Sequence, residues 1–233
     1  MHFIKKIFIL TSLIFILFTG AAFTQSNDEA QKGDSVAIDK NNLMIDKNFI
    51  SNPDAETTNA SGIIPGWENI TNNSQNIPII NAGTYGSSDN QNNAILKSGY
   101  GNYYFNAYVG GEHKDASAFQ YVDLSPLSDE IDAGNILYNM SGNFSGVNNS
   151  FALLSVQFLS GPGNDIGTYY TNNLAADEIN PDDLVLVPRV KAGDVPKGSR
   201  KMVIQLKFYN LEETDTSFPA FADNLSVILL RKP

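Results

Sequence analysis

Asn52-Pro53-Asp54-Ala55-Glu56, followed by Pro65-Gly66-Trp67, is the stretch on which the fold turns. It has a counterpart near the other end, Phe221-Ala222-Asp223-Asn224, running into the apolar Leu225–Leu230. The first reads as a strand that breaks into a carboxylate-bearing turn, the second as a carboxylate placed just before the last strand. A sheet protein that pairs its first and last strands brings Glu56 and Asp223 together. Two carboxylates in contact repel unless a cation or a proton separates them. The pairing therefore predicts a structural calcium site.

Between these ends the chain alternates with period two. Over Asn135–Ser145, Ile136, Tyr138 and Met140 share one face, and Leu137, Asn139 and Ser141 share the other. Over Phe151–Leu159, Ala152, Leu154, Val156 and Phe158 face away from Ser155 and Gln157. In Lys201–Asn210, Met202, Ile204, Leu206 and Phe208 alternate with Val203, Gln205, Lys207 and Tyr209. One apolar and one mixed face is the pattern of antiparallel strands packed on one side. No stretch keeps a helical period over three turns, though Pro126–Gly134 suits a single turn ended by Gly134. Gly161-Pro162-Gly163-Asn164-Asp165 and Val195-Pro196-Lys197-Gly198-Ser199-Arg200 read as turns. About eight to ten short strands separated by such turns predict an all-β, two-sheet antiparallel sandwich.

The first residues read as an export signal over 1–22: Lys5 and Lys6, an apolar run from Ile7 to Phe18, then Thr19-Gly20-Ala21-Ala22. Residues 23–42 read as a flexible polar leader, and 43–232 as one domain of about 190 residues, enough for one core. The expected location is secreted or extracellular, periplasmic or cell-surface-associated in a bacterium, with no membrane insertion. Cysteine is absent, so the domain is held by its core, or by a core plus metal. The chain has 15 basic and 25 acidic residues; without Lys5 and Lys6 the balance is 13 against 25, or −12. Such acidity disfavours contact with phosphates, so no nucleic-acid partner is expected.

The ordered series Asn52-Pro53-x-x-Glu56, Gly66-Trp67, Gln120-x-Val122-Asp123-Leu124, Ile131-Asp132-x-Gly134, Leu137-Tyr138-x-x-Ser141-Gly142, Leu154-x-Val156-x-Phe158, Val195-Pro196-x-Gly198-x-Arg200 and Ala222-Asp223-Asn224-Leu225-Ser226 resembles the galactose-binding-like jelly rolls. That group includes many carbohydrate-binding modules, and the likeness runs from about Leu43 to Leu230. It implies a jelly-roll β-sandwich. It also implies a calcium ion where first and last strands meet, held by a glutamate, an aspartate and backbone carbonyls. Glu56 and Asp223 match those positions; Asp54, where many relatives have glycine, is a third candidate through its carbonyl. Hard oxygen donors of this kind suit calcium. Trp67 falls at a position usually buried.

Catalytic chemistry is poorly supplied. Outside the export signal the only histidine is His113, in a glycine-rich charged loop, and there is no thiol. The acidic groups Asp177-Glu178, Asp182-Asp183 and Glu212-Glu213-Thr214-Asp215 sit in polar stretches with no apolar neighbour to raise a pKa. Aromatics are better supplied. Tyr100, Tyr103, Tyr104, Phe105 and Tyr108 crowd one strand, where Tyr103, Phe105 and Val109 are assigned to the core. That leaves Tyr104, Asn106 and Tyr108 as the candidate ligand face, with rings to stack sugars and an amide to bond hydroxyls. Asn59, Asn69, Asn72, Asn139, Asn143, Asn148 and Asn224 head glycosylation sequons. The expectation is a secreted, non-catalytic module for a carbohydrate or glycan-bearing surface, stabilised by calcium. The alternative is a structural protein of an extracellular coat, cell wall or spore-like layer.

Overall fold

A computed structural model describes residues 45–69, 80–84, 101–110, 114–146, 150–161, 164–170, 186–210 and 217–233. Residues 1–42, expected to be an export signal and a leader, lie outside the described residues. Among the described residues ten strands follow in order: β1 (Glu68–Asn69), β2 (Asn81–Thr84), β3 (Tyr103–Gly110), β4 (Asp115–Asp123), β5 (Ile136–Gly146), β6 (Ser150–Leu159), β7 (Asp165–Tyr170), β8 (Val187–Asp194), β9 (Lys201–Asn210) and β10 (Ser217–Arg231). They form two five-stranded sheets, β1-β4-β9-β6-β7 and β2-β3-β10-β5-β8, with every pair antiparallel. This is the all-β two-sheet sandwich that the alternation predicts.

The core lies between the sheets. Phe105 and Val109 of β3, Tyr138, Met140 and Phe144 of β5, Leu154, Val156 and Phe158 of β6, Ile204, Leu206 and Phe208 of β9, and Val227 and Leu229 of β10 all fill it. Each such side chain contributes roughly 1.5–3 kcal/mol through burial. Trp67 joins them, its ring edge-on to Phe105 at 5.4 Å between centroids. Strand β6 departs from one-sided packing: its outward Phe151, Leu153 and Ser155 are buried as well.

Between β4 and β5 a 3-10 turn (Ser125–Leu127) leads into α1 (Ser128–Ala133), closed by Gly134 at φ 80°. The amides of Gly134 and Asn135 satisfy the last carbonyls, donating to Ile131 and Glu130 at 2.9 Å each. Two forked ion pairs tie α1 outward. Arg231 meets Glu130 at 2.6 and 2.9 Å, and Arg200 meets Asp132 at 2.6 and 3.0 Å. Among the described residues no helix is long and apolar enough to cross a membrane.

The two ends of the domain do lie side by side, in a form the alternation does not give. Residues 46–53 are not a strand. They run along β10 with Asp46 N donating to Leu229 O (3.0 Å), Phe49 N to Val227 O (2.8 Å) and Leu225 N to Pro53 O (2.8 Å). Asp223 does not precede the last strand; it lies inside it, because β10 begins at Ser217. A bulge between Asp223 and Ser226, with Asn224 at φ 49°, interrupts the pairing to β5 there. On the opposite edge of β10, β3 pairs only as far as Ala222 opposite Phe105. Beyond the bulge, residues 46–53 take that edge over.

Candidate functional site

Glu56 sits where that edge changes hands. Its Oε1 accepts the backbone N–H groups of Asn102 (2.6 Å) and Tyr103 (2.8 Å), and its Oε2 accepts Asn102 Nδ2 (3.1 Å). These are the amides at the start of β3, past the point where β10 pairs with it. Burial opposes ionisation of the carboxyl, but the bonds from Tyr103 and Asn102 outweigh it and hold the group below the usual carboxylate range. Asp223 is fully buried, and its Oδ1 accepts Asn224 N at 2.7 Å. Asp54 closes its own turn, Oδ1 accepting Glu56 N at 3.3 Å. The described residues contain no group of three or more acidic, histidine or cysteine side chains placed to share one ion. Glu56, Asp223 and Asp54 thus each accept a backbone N–H, and two such groups converge on Glu56 Oε1.

The expected aromatic face also changes on inspection. Phe105 and Val109 point into the core as assigned, and Tyr103 packs partly against it. Tyr104 points the other way but is only 5% exposed. Its ring lies against Gly83, where any Cβ would collide with it, and meets Phe221 edge-on at 5.5 Å. Tyr104 is thus packed on the outer side of its sheet and offers no open ring. Asn106 stands in the row Asn81–Asn106–Phe221–Ser145, and its Oδ1 is buried with no hydrogen-bond partner. The backbone of Tyr108 pairs opposite Pro219; its side chain is outside the described residues. His113 and the acidic groups at 177–183 and 212–215 are outside them too.

Among the sequons, Asn59 bonds its own loop, Oδ1 accepting Ser61 N (2.9 Å) and Ile63 N (3.0 Å). Asn69 holds Ile80 N at 3.0 Å, and the Oδ1 of Asn139 is buried and unpartnered. Asn143 and Asn224 are half-buried, while Asn72 and Asn148 fall outside the described residues.

An open aromatic does exist, on the other sheet. Tyr121 of β4 is 49% exposed on the outer face of β1-β4-β9-β6-β7. The Lys201 ammonium lies 4.3 Å from its ring centroid. Partial burial, and then the charge of Glu68, push the Tyr121 hydroxyl above the ordinary tyrosine range. Register places Tyr121 at one end of a row, Tyr121–Val203–Gln157–Thr168, that crosses four strands. Three strand steps of ~4.8 Å make this row about 14 Å long. At its far end Asp165 gathers three donors: Gln157 Nε2 (2.9 Å) and Thr168 Oγ1 (2.8 Å) on Oδ2, and Gly167 N (2.8 Å) on Oδ1. The next row holds Gln205, which donates to Ser117 Oγ (3.1 Å) and accepts Ser155 Oγ (3.3 Å). The face thus combines one open ring with a fixed line of amide, hydroxyl and carboxylate groups. Tyr121 could have been picked out in the sequence by phase, since Ala116, Ala118 and Val122 fix the inward side and Tyr121 falls between them.

No protein-family model matches the chain, and no curated protein matches it. Solved structures similar to it include the enzymatically active domain of bacteriophage CBA120 tailspike protein 4, at TM-score 0.49 and 15% identity over 78% of this chain. This chain spans 21% of that protein's length. A family 16 carbohydrate-binding module-2 matches at TM-score 0.42 and 18% identity, covering 78% of this chain and 99% of that one. A TmCBM61 structure in complex with β-1,4-galactotriose matches at 0.40 and 12%, covering 80% and 99%. All are distant in sequence and overlay only loosely. The sandwich is assigned from this chain's own two antiparallel sheets.

Proposed function

We propose that the chain is an exported, non-catalytic carbohydrate-binding module whose ligand lies across the outer face of β1-β4-β9-β6-β7, over Tyr121. The single observation that carries this reading is the 49% exposure of Tyr121 at the end of a cross-strand row that leads past Val203 to Gln157 and Thr168. A sugar ring presents C–H groups on its face and hydroxyls at its rim. The first stack on an open aromatic plane, and the second need fixed donors and acceptors. Gln157, Thr168, Asp165 and Gln205 supply these in positions held by their own hydrogen bonds. The Lys201 ammonium lies over one face of the ring, which leaves the other for stacking, and the charge of Glu68 acts on its hydroxyl. The non-catalytic part rests on composition: no thiol, and one histidine beyond the export signal.

A glycan array on the purified domain, followed by titration of any positive glycan against Tyr121→Ala, tests the proposal. Tyr121 is half-exposed and lies outside the core, so the variant stays folded and binds about tenfold or more weakly. Equal affinity in wild type and variant would refute the site. Silence across the array would favour the coat reading, to which the burial of Tyr104 already lends weight.

A further inference from the structure

We propose that the sandwich is closed by a clasp of side-chain-to-backbone hydrogen bonds, from Asn48, Gln120 and Glu56, and that this closure needs no calcium. The inference is independent of what the sheet face binds. The segment from Asp46 to Pro53 has only three backbone bonds to β10 and is not a strand, so ladder pairing alone does not fix it. Three side chains supply the rest. Asn48 lies flat on β10, with Nδ2 donating to Leu225 O (2.8 Å) and Oδ1 accepting Val227 N (2.9 Å). Gln120 reaches from β4 of the opposite sheet and takes both backbone polar groups of one residue, Oε1 accepting Ser51 N (2.9 Å) and Nε2 donating to Ser51 O (2.8 Å). Glu56 takes up the first two amides of the β3 end.

The clasp thus joins the entering segment to the last strand, to the far sheet and to β3. The first of these junctions is where a shared ion was expected. Charge explains why Glu56 needs no ion. A carboxylate that accepts two or three N–H groups is stabilised as an anion by the positive ends of those dipoles, and its lone pairs on that side are taken. A divalent cation bound at Glu56 Oε1 would have to displace the Asn102 and Tyr103 amides and leave them without acceptors, which is costly for backbone groups.

The test uses the full purified chain. Thermal melting of wild type is compared in excess calcium and in excess chelator, alongside Glu56→Gln and Gln120→Ala, and calcium binding to wild type is measured directly by calorimetry. The proposal expects one melting temperature for wild type in both buffers and no calcium binding heat. It also expects each variant to melt lower by about 2–4 °C or more, equally in both buffers, as loss of a charge-assisted or paired amide contact from a domain of this size implies. A calcium-dependent rise in the wild-type melting temperature, or a binding isotherm with calcium, would overturn it. A rise lost in Glu56→Gln would identify Glu56 as the metal ligand. Should a variant fail to fold, the wild-type comparison and the calorimetry still decide.

Discussion

The Glu56 carboxylate lies 2.8 Å from the backbone nitrogen of Tyr103, joining a turn at the start of the domain to a strand that pairs with its end. Because Glu56 titrates below the usual carboxylate range in the folded state, its contribution depends on pH in a definite direction. A lowered folded pKa stabilises above the unfolded pKa, about 4.3, and that stability is lost as pH falls through the folded value. The stability gap between wild type and Glu56→Gln is therefore full at pH 7 and closes as pH drops below about 4. Denaturant melts across pH 3 to 7 read it directly; a gap that stays constant over that range contradicts the ionised clasp.

Gly101 has φ 137°, and a Cβ placed on it would run into the Glu56 carboxylate. Gly101→Ala therefore meets both a backbone and a contact penalty and destabilises the domain by more than about 1 kcal/mol. In a Glu56→Ala background the contact penalty disappears, so the double variant loses less than the sum of the singles. Strict additivity in chemical denaturation would show that the two residues do not touch.

Trp67 is the chain's only tryptophan and is buried against Phe105. Its indole Nε1 donates to Asn52 O at 3.3 Å, which couples the core to the turn carrying Glu56. Trp67 emission should be blue-shifted in the native protein and move red in one step with global unfolding. Trp67→Phe should cost less than Trp67→Ala, for which about 3–5 kcal/mol is expected. Native emission at the wavelength of exposed indole would contradict this placement.

What was legible in the sequence was what period two encodes. β9 runs over the predicted Lys201–Asn210, β5 and β6 match to within a residue at each end, and their inward faces are the apolar ones. Gly134 ends its turn because a left-handed residue was required there. β10 starts earlier than the expected strand at Leu225, because a carboxylate such as Asp223 reads as lying outside a strand. Pro219 is accommodated in the strand, and Asp223 sits beside a bulge that alternation does not register. Period also gives which side of a strand a residue faces, but not what packs over it. Tyr104 faces outward as expected and is nevertheless covered. Tyr121 is the converse case: its phase between Ala118 and Val122 puts it outward, and the structure adds that it stays 49% exposed. Glu56 and Asp223 were rightly assigned to neighbouring segments, yet their hydrogen-bond partners come from Asn102, Tyr103 and Asn224, which no spacing rule could supply.

The most direct measurement is an amide chemical-shift titration of the isotope-labelled domain with an oligosaccharide of the glycan that scores on the array. Shifts centred on Tyr121, Val203, Gln157 and Thr168, and abolished in Tyr121→Ala, are the predicted result. Shifts confined to the β2-β3-β10-β5-β8 sheet would contradict the account.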